Sequence, residues 1–308
     1  MASGMKPAAV ALGAAAAGVA VWSTLIERQL FTVRRHTLPV LAPGAAPLRV
    51  LQLSDLHLAP WQARKIDWVR SLAALAPDLV VLTGDLMGHI QARGALLYAL
   101  QPLIEAAPTV FVHGSNDYYG PIFKDPVKYL LEPSRMATRT PDVDNRALTD
   151  GLEGLGAINI NNAATALTLR GTDVQLLGLN DPHIRYDDVN RMRESLAGLE
   201  TLPSAPRPLR LGVLHAPYQA PLGELLDDGA DVILAGHTHG GQVRLPGVGA
   251  LTANCDLPNA QARGLSVWYD AHRAAFLNVS AGLGNSIYAP IRFACRPEAS
   301  LLTLEATN

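Results

Sequence analysis

Cysteine is nearly absent. Only Cys255 and Cys295 occur among 308 residues, and they belong to no Cys-x-x-Cys pattern. They read as two buried free thiols rather than as a disulfide framework or a thiolate metal cluster. Charge is sparse too, at 17% of residues. Neither sign dominates, since 25 Lys and Arg stand against 27 Asp and Glu for a net charge of −2. That balance argues against a nucleic-acid or other polyanion-binding surface as the main activity. No internal repeat occurs, and no low-complexity segment beyond an alanine-rich amino terminus. What remains is a chain 49% hydrophobic, with ample core for one large domain or two small ones.

One long apolar run is present. From Pro7 to Ile26 there is no charged residue, and roughly 20 such residues suffice to cross a bilayer as a helix. The alternative is a cleavable signal peptide, with Ala14–Ala17 imitating a cleavage region. The run continues past it to Trp22, Leu25 and Ile26, which favours an uncleaved anchor over residues 1–30. Lys6 stands alone before the run, whereas Arg28, Arg34 and Arg35 follow it. The positive-inside rule then places the remainder of the chain in the cytoplasm. No twin arginine precedes the run. Residues 31–48, with Pro39, Pro43, Gly44 and Pro47, read as a linker, and 49–308 as one catalytic domain.

Within that domain, apolar strands alternate with amphipathic helices. Leu48–His57 reads as a strand ending in Asp55-Leu-His57, and 62–76 as a helix with Ile66, Val69, Leu72, Ala73 and Ala76 on one face. Leu79–Asp85 is a second strand, 91–106 a second helix, and 108–117 a third strand. The alternation predicts a largely parallel sheet, whose ligands gather at the strands' carboxyl ends. Residues 118–145 read as a long functional loop. A helix at 147–155, strands at 157–160, 165–170 and 173–179, a helix at 187–198 and a Pro-rich turn at 203–208 follow. Then come a strand at 210–215 and an apolar run at 231–235. Strands at 242–245, 274–279 and 298–304 complete the α/β pattern.

The chemistry sits at the ends of these strands. Asp55, His57, Asp85, Ser115 and Asn116, His215, His237 and His239 each lie just past an apolar strand. Any one of these histidines alone reads as an ordinary hydrogen-bonded residue. Six Asp and His residues in the same local setting read as metal ligands. Mixed carboxylate and imidazole donors without thiolate suit Mn, Fe, Zn or Ni, and favour a hydrolytic site for two divalent ions. Asp85 could bridge ions held roughly 3.5–4 Å apart, the separation that clamps both sides of a displacement at phosphorus. His183, Tyr118, Tyr119, Tyr288, Arg244, Asn254 and Arg292 are candidates for the rim of such a site, each equally explained by packing, turn capping or surface charge. Asp117 could brace the metal loop or cap a helix.

Five blocks, Asp55-Leu-His57, Gly84-Asp85, Gly114-Ser-Asn-Asp117, His215 and Gly236-His-Thr-His239, stand in order across the domain. In them the chain resembles the calcineurin-like metallophosphoesterase superfamily, and within it the membrane-associated phosphodiesterase branch similar to YkuE and YaeI. The resemblance implies a metallophosphoesterase-type two-sheet βαβ sandwich flanked by helices, here preceded by one amino-terminal apolar helix. It implies two divalent metal ions (Mn2+, Fe2+/Fe3+ or Zn2+). Asp55, His57 and His239 would hold one, His215 and His237 the other, and Asp85 would bridge. Hydrolysis of a phosphodiester or pyrophosphate by hydroxide held between the ions is the implied reaction, with Asp85, Asn116 and His215 at the reacting centre.

The third block departs from the pattern. The superfamily shows Gly-Asn-His-Asp/Glu there, its Asn a metal ligand and its His an aid to the leaving group. Here Ser115 and Asn116 stand in their places. Asn116, reaching the ion through a shifted turn, is the better donor, and Ser115 or a water is the alternative. Either way the usual imidazole is missing, and a positioned general acid typically contributes about 10²–10⁴-fold. A good leaving group, such as a phosphate within a pyrophosphate, needs that help least. An anchor beside the site makes a lipid-linked or nucleotide–lipid substrate the expectation, by analogy with enzymes that cleave the pyrophosphate of UDP-diacylglucosamine. A diesterase for soluble cyclic nucleotides and a catalytically weakened metal-bound scaffold are the alternatives.

Overall fold

The computed structural model describes residues 5–121, 140–199 and 207–307. Helix α1 (Met5–Val21) continues through Trp22–Ile26 and Glu27–Gln29 into strand β1 (Thr32–Leu41). The chain then runs β2 (Leu48–Leu53), α2 (Ala63–Ser71), β3 (Leu79–Thr83), α3 (Arg93–Ala106), β4 (Thr109–Val112), α4 (Asn145–Gly154) and β5 (Ile158–Asn159). It goes on through β6 (Ala163–Leu169), β7 (Thr172–Gly178), α5 (Val189–Leu199), β8 (Leu209–Val213), α6 (Gln219–Asp227) and β9 (Val232–Ala235). A hairpin of β10 (Arg244–Leu245) and β11 (Gly249–Ala250) precedes β12 (Gly264–Tyr269), β13 (Ala274–Val279) and β14 (Glu298–Ala306). The middle of the loop read at 118–145 and most of the turn read at 203–208 lie outside the described residues.

Two six-stranded sheets result. One has the order β1-β14-β2-β3-β4-β5 and the other β12-β13-β9-β8-β7-β6. In the first, β2 to β5 are mutually parallel. In the second, β7, β8, β9 and β13 are. Side chains alternate between the faces of a strand, and the central strands are covered on both faces, so they are largely apolar. Val50, Leu79, Val81, Val110, Leu211 and Val232 join in one cluster that draws on both sheets and forms the sandwich interior. Their neighbours Leu51, Leu53, Val80, Leu82 and Phe111 face outward, onto α2, α3 and α4. Leu177, Ile233 and Leu277 do the same on the other side, beneath α5 and α6. The expected sandwich is the observed one.

Three elements were not apparent in the sequence. Residues 32–41, inside the stretch read as linker, form β1, paired in parallel with β14 from Thr32↔Glu298 onward. As an edge strand it stays half-exposed, carries Arg34, Arg35 and His36, and breaks register between Pro39 and Leu41. An edge strand tolerates charge and proline in this way, and so loses the apolar alternation that reveals a strand. Helix α6 and edge strand β12 were missed likewise. Cys255 and Cys295 are buried free thiols, as expected.

Glu298, at the start of β14, is fully buried and ties three parts together. Its Oε2 accepts from Arg263 Nε at 3.0 Å and from Arg34 on β1, and its Oε1 accepts from the Ala281 amide at 3.2 Å. Burial alone would raise its pKa, but the hydrogen bond and charge of Arg263, with Arg34, hold it below the ordinary 4.5. A depressed carboxylate pKa stabilises the fold above the unfolded value, and that stability is lost as pH falls through the folded value. Removing one partner of a buried ion pair costs about 3–5 kcal/mol. Glu298→Gln should therefore lower the thermal midpoint at pH 7, and the deficit relative to the parent should shrink below pH 4.5. Denaturation monitored by circular dichroism at several pH values checks both.

Candidate metal centre

All seven sequence-derived residues lie at the carboxyl ends of parallel strands. Asp55 and His57 follow β2, Asp85 follows β3, Asn116 follows β4, His215 follows β8, and His237 and His239 follow β9. The two sheets bring these ends to one edge. Five of the seven have left-handed backbone: Asp55 (φ 47°), His57 (37°), Asp85 (52°), His237 (67°) and His239 (50°). Such conformations are costly for residues other than glycine, of the order of 1–3 kcal/mol each, and cluster where function demands them. The turns also need close approach. A Cβ on Gly114 would lie 2.6 Å from Asp85 N and 2.8 Å from His215 Cε1.

The side chains converge. Asp85 Oδ2 lies 3.4 Å from His57 Nε2, and Asp85 Oδ1 lies 3.5 Å from His215 Nε2. His57 Nε2 and His239 Nε2 are 3.2 Å apart, and His239 Nε2 is 3.8 Å from Asp55 Oδ1. Two sets of potential ligand atoms, Asp55/His57/His239 and Asp55/Asp85/His215, each fall within 4.8 Å of one another. All are buried. The His237 amide donates to both Asp55 oxygens, at 3.2 and 3.0 Å, and its ring lies 5.2 Å, centroid to centroid, from that of His215.

Electrostatics follow from that burial. Desolvation pushes Asp55 up to about 6, against the pull of His215. It pushes His57 down to about 4, and His237 and His239 well below the ordinary imidazole range, so all three rings are neutral with a lone pair available. His215 differs. Burial would lower it, but Asp85, Asp181 and Asp55 hold a proton on it, and the same pairing holds Asp85 well below the usual carboxylate value despite its own burial.

Outer contacts aim the rings. His215 Nδ1 is 2.7 Å from the Thr83 carbonyl, and His237 Nε2 is 3.1 Å from that of Asn254. A ring nitrogen bonded to a carbonyl donates, which leaves the opposite nitrogen as the ligand. His215 Nε2 and His239 Nδ1 are buried with no hydrogen-bond partner among the described residues. Of these, His215 Nε2 lies beside the Asp85 carboxylate, and a buried ring nitrogen without a hydrogen-bond partner next to a buried carboxylate fits a divalent cation.

The structure also sorts the remaining candidates. The Asn116 backbone amide donates to Asp85 Oδ1 at 2.8 Å, and its Nδ2 donates to Oδ2 at 2.7 Å. It therefore engages the Asp85 carboxylate, which faces His57 through one oxygen and His215 through the other. Asp117 is a brace: its carboxylate accepts from the amides of Leu86, Met87 and Gly114. His113 points away to Thr149 Oγ1, 2.9 Å distant. His183 packs on His237, with ring centroids 4.5 Å apart, and its Nδ1 lies 2.9 Å from the Tyr218 hydroxyl. Arg292, read as rim or surface charge, is fully buried and donates to the carbonyls of Ala281, Gly282, Gly284 and Cys295. Two residues were missed. Asp181 is fully buried, and its carboxyl is pushed up to about 7 by desolvation, with the charge of His215 opposing. Lys65, also buried, donates to the Leu56 carbonyl at 2.8 Å, between Asp55 and His57. Asp181 follows β7 closely, so the strand-end rule that found the others would have found it.

Comparison with known proteins agrees with this geometry. Residues 48–241 match the family model of the calcineurin-like phosphoesterases. The chain is 27% identical to phosphodiesterase YaeI of Escherichia coli over 89% of its own length and 88% of that protein's. It is also 27% identical to the UDP-2,3-diacylglucosamine pyrophosphatase LpxG of Chlamydia trachomatis, over 92% of each chain. To a Bos taurus transmembrane protein with a metallophosphoesterase domain it is 28% identical, over 88% of this chain and 55% of that one. With a match over more than half its length and the buried Asp/His cluster at the two sheet edges, the chain belongs to the calcineurin-like phosphoesterase family and is a metallophosphoesterase, a hydrolase of phosphoric ester or pyrophosphate bonds.

Proposed function

We propose that this chain is a membrane-anchored hydrolase of phosphodiester or pyrophosphate bonds in lipid-linked or nucleotide–lipid substrates, with two divalent ions at its centre. The carrying observation is Asp85. One of its oxygens faces His57 and the other His215, the disposition expected of a carboxylate shared by two sites. Asp55, His57 and His239 would hold one ion, and His215 and His237 the other. When bound, such ions supply Lewis acidity: they lower the pKa of water and neutralise charge on phosphoryl oxygens.

The chain's own residues supply position and protons. Asn116 holds the bridging carboxylate through two hydrogen bonds, and its Oδ1 is the atom that would ligate. Thr83 and Asn254 carbonyls fix the tautomers of His215 and His237. The third block offers no imidazole to the leaving group, which favours substrates whose leaving group departs unprotonated or nearly so. A phosphate within a pyrophosphate meets that requirement, and the similarity to LpxG supports it.

The anchor reading rests on residues Pro7–Gln29, 23 residues of mean hydropathy 1.9 with 6% of the apolar window buried. Such a helix is long and apolar enough to cross a membrane. Arg28 in its last turn and Arg34 and Arg35 after it, against Lys6 before it, support a catalytic domain on the cytoplasmic side.

Two measurements test the chemistry. The full chain in detergent, supplied with Mn2+, should hydrolyse bis-(p-nitrophenyl) phosphate faster than p-nitrophenyl phosphate, and chelation or Asp85→Asn should abolish it. A preference for the monoester would sink the diesterase assignment. Metal binding should also release protons, because His215 carries one that a cation must displace. Its raised pKa makes affinity climb as pH rises towards that value, and calorimetry in buffers of different ionisation enthalpy reads the proton count. Binding without proton release would place His215 outside the ligand set.

A further inference from the structure

The apolar helix does not hang from the catalytic domain on a tether. Its last turns are bonded into a loop beside the metal centre. Glu27 is buried, and its carboxylate accepts from the amides of Ala294 (3.0 Å) and Cys295 (2.6 Å) and from Trp22 Nε1 (2.7 Å). The Arg292 amide donates to the Ser23 carbonyl at 2.9 Å, and Arg296 Nε donates to that of Leu30 at 2.9 Å. The domain therefore sits at the same depth as the helix end. A 23-residue helix is about 35 Å long against a hydrocarbon core of about 30 Å, so its final turn reaches the headgroup layer.

The loops at that depth are apolar and exposed. Residues 285–293 interlock with the β10–β11 hairpin through the Arg244 amide to the Phe293 carbonyl (2.9 Å), the Phe293 amide to the Gln242 carbonyl (3.1 Å) and Gln242 Nε2 to the Ala289 carbonyl (2.6 Å). On them Val248 is 72% exposed, Tyr288 48%, Leu245 43%, and Ile291 and Leu251 39% each. Single exposed apolar residues are ordinary, but five on two interlocked loops mark an interaction surface. An exposed tyrosine there, with Trp22 on the adjoining helical turn, matches the aromatic belt of a membrane interface. The same loops border the site: Gln242 follows the His239–Gly241 turn, and the Gly284 amide donates to the Asp55 carbonyl at 2.6 Å.

We infer that the β10–β11 hairpin and residues 285–293 form a lipid-facing foot, seated in the headgroup layer of the bilayer that the helix crosses. The foot holds the mouth of the metal centre at the depth of lipid headgroups, so a substrate phosphate can be reached without leaving the membrane. This inference rests on the anchoring reading above, not on the choice of substrate.

The test uses the full chain in phosphatidylcholine/phosphatidylglycerol nanodiscs containing lipid spin-labelled near the headgroup. Val248→Cys and Tyr288→Cys variants carry an environment-sensitive fluorophore, the native thiols being buried. Tyr269→Cys, exposed at the far end of the parallel strands, is the control, and Val10→Cys reports the helix. Labels at 248 and 288 should be quenched at least twofold more than the label at 269. Equal quenching at all three overturns the foot, and a label at 10 that stays in lipid would confine the failure to it, whereas a solvent-exposed label at 10 would sink the anchor as well. Labels at 248 and 288 shielded from water yet unquenched by spin-labelled lipid would point to a second protein copy on this face, which also overturns it.

Discussion

The Asp55 carboxylate, accepting the His237 backbone amide, is the contact on which the centre depends. It joins the end of β2 in one sheet to the end of β9 in the other. Beneath it a buried polar chain repeats the link, Asn278 Nδ2 donating to Gln52 Oε1 and Gln52 Nε2 to the Ala235 carbonyl. Polar groups buried this deeply are costly unless paired. They therefore fix how the two sheets align, and so which strand ends meet. The apolar interior alone would tolerate other alignments; hydrophobic packing is not directional.

That alignment concentrates negative charge. Asp55, Asp85 and Asp181 are all buried in one region with a single imidazole, His215, holding a proton against them. Three further imidazoles are neutral there because burial penalises their charged form. A cluster of carboxylates with neutral rings is electrostatically incomplete, and divalent cations are the partners that satisfy both donor types at once. The left-handed backbone at five of the ligand positions adds to the case. Conformations of that cost persist only where surrounding contacts over-determine them, and here the contacts are Gly-rich turns that leave no room for a Cβ.

The sequence made the site more legible than its surroundings. Apolar strands buried on both faces are continuous hydrophobic runs, so β2, β3, β4, β8 and β9 stood out, and the Asp or His after each stood out with them. Edge strands β1 and β12 have one neighbour each and keep mixed composition, so β1 passed for a linker. Arg292 passed for a rim residue because nothing local reveals that four backbone carbonyls surround it. Asp181 was overlooked although it also follows a strand, because Asn180 and Pro182 on either side resemble turn chemistry. For β1 and Arg292 a long-range contact, invisible to local pattern, decided the outcome, whereas Asp181 lay within reach of the strand-end rule.

The departure in the third block now has a structural setting. Where the superfamily places an imidazole, Asn116 spends its amide on the Asp85 carboxylate. Of the histidines outside the candidate ligands, His183 is held to Tyr218 and His113 to Thr149. On the proposed reading, a site built this way would bind and polarise a phosphoryl group well but assist departure poorly. Chemistry with a stable leaving group suits it, and pyrophosphate cleavage is such chemistry. Under the proposed anchoring, a helix fastened through Glu27 and Ser23 to the loops around the same site would restrict encounter to molecules at the membrane surface. On that proposal, weak leaving-group assistance and a fixed membrane position would narrow the substrate in the same direction, towards activated phosphates carried on lipids.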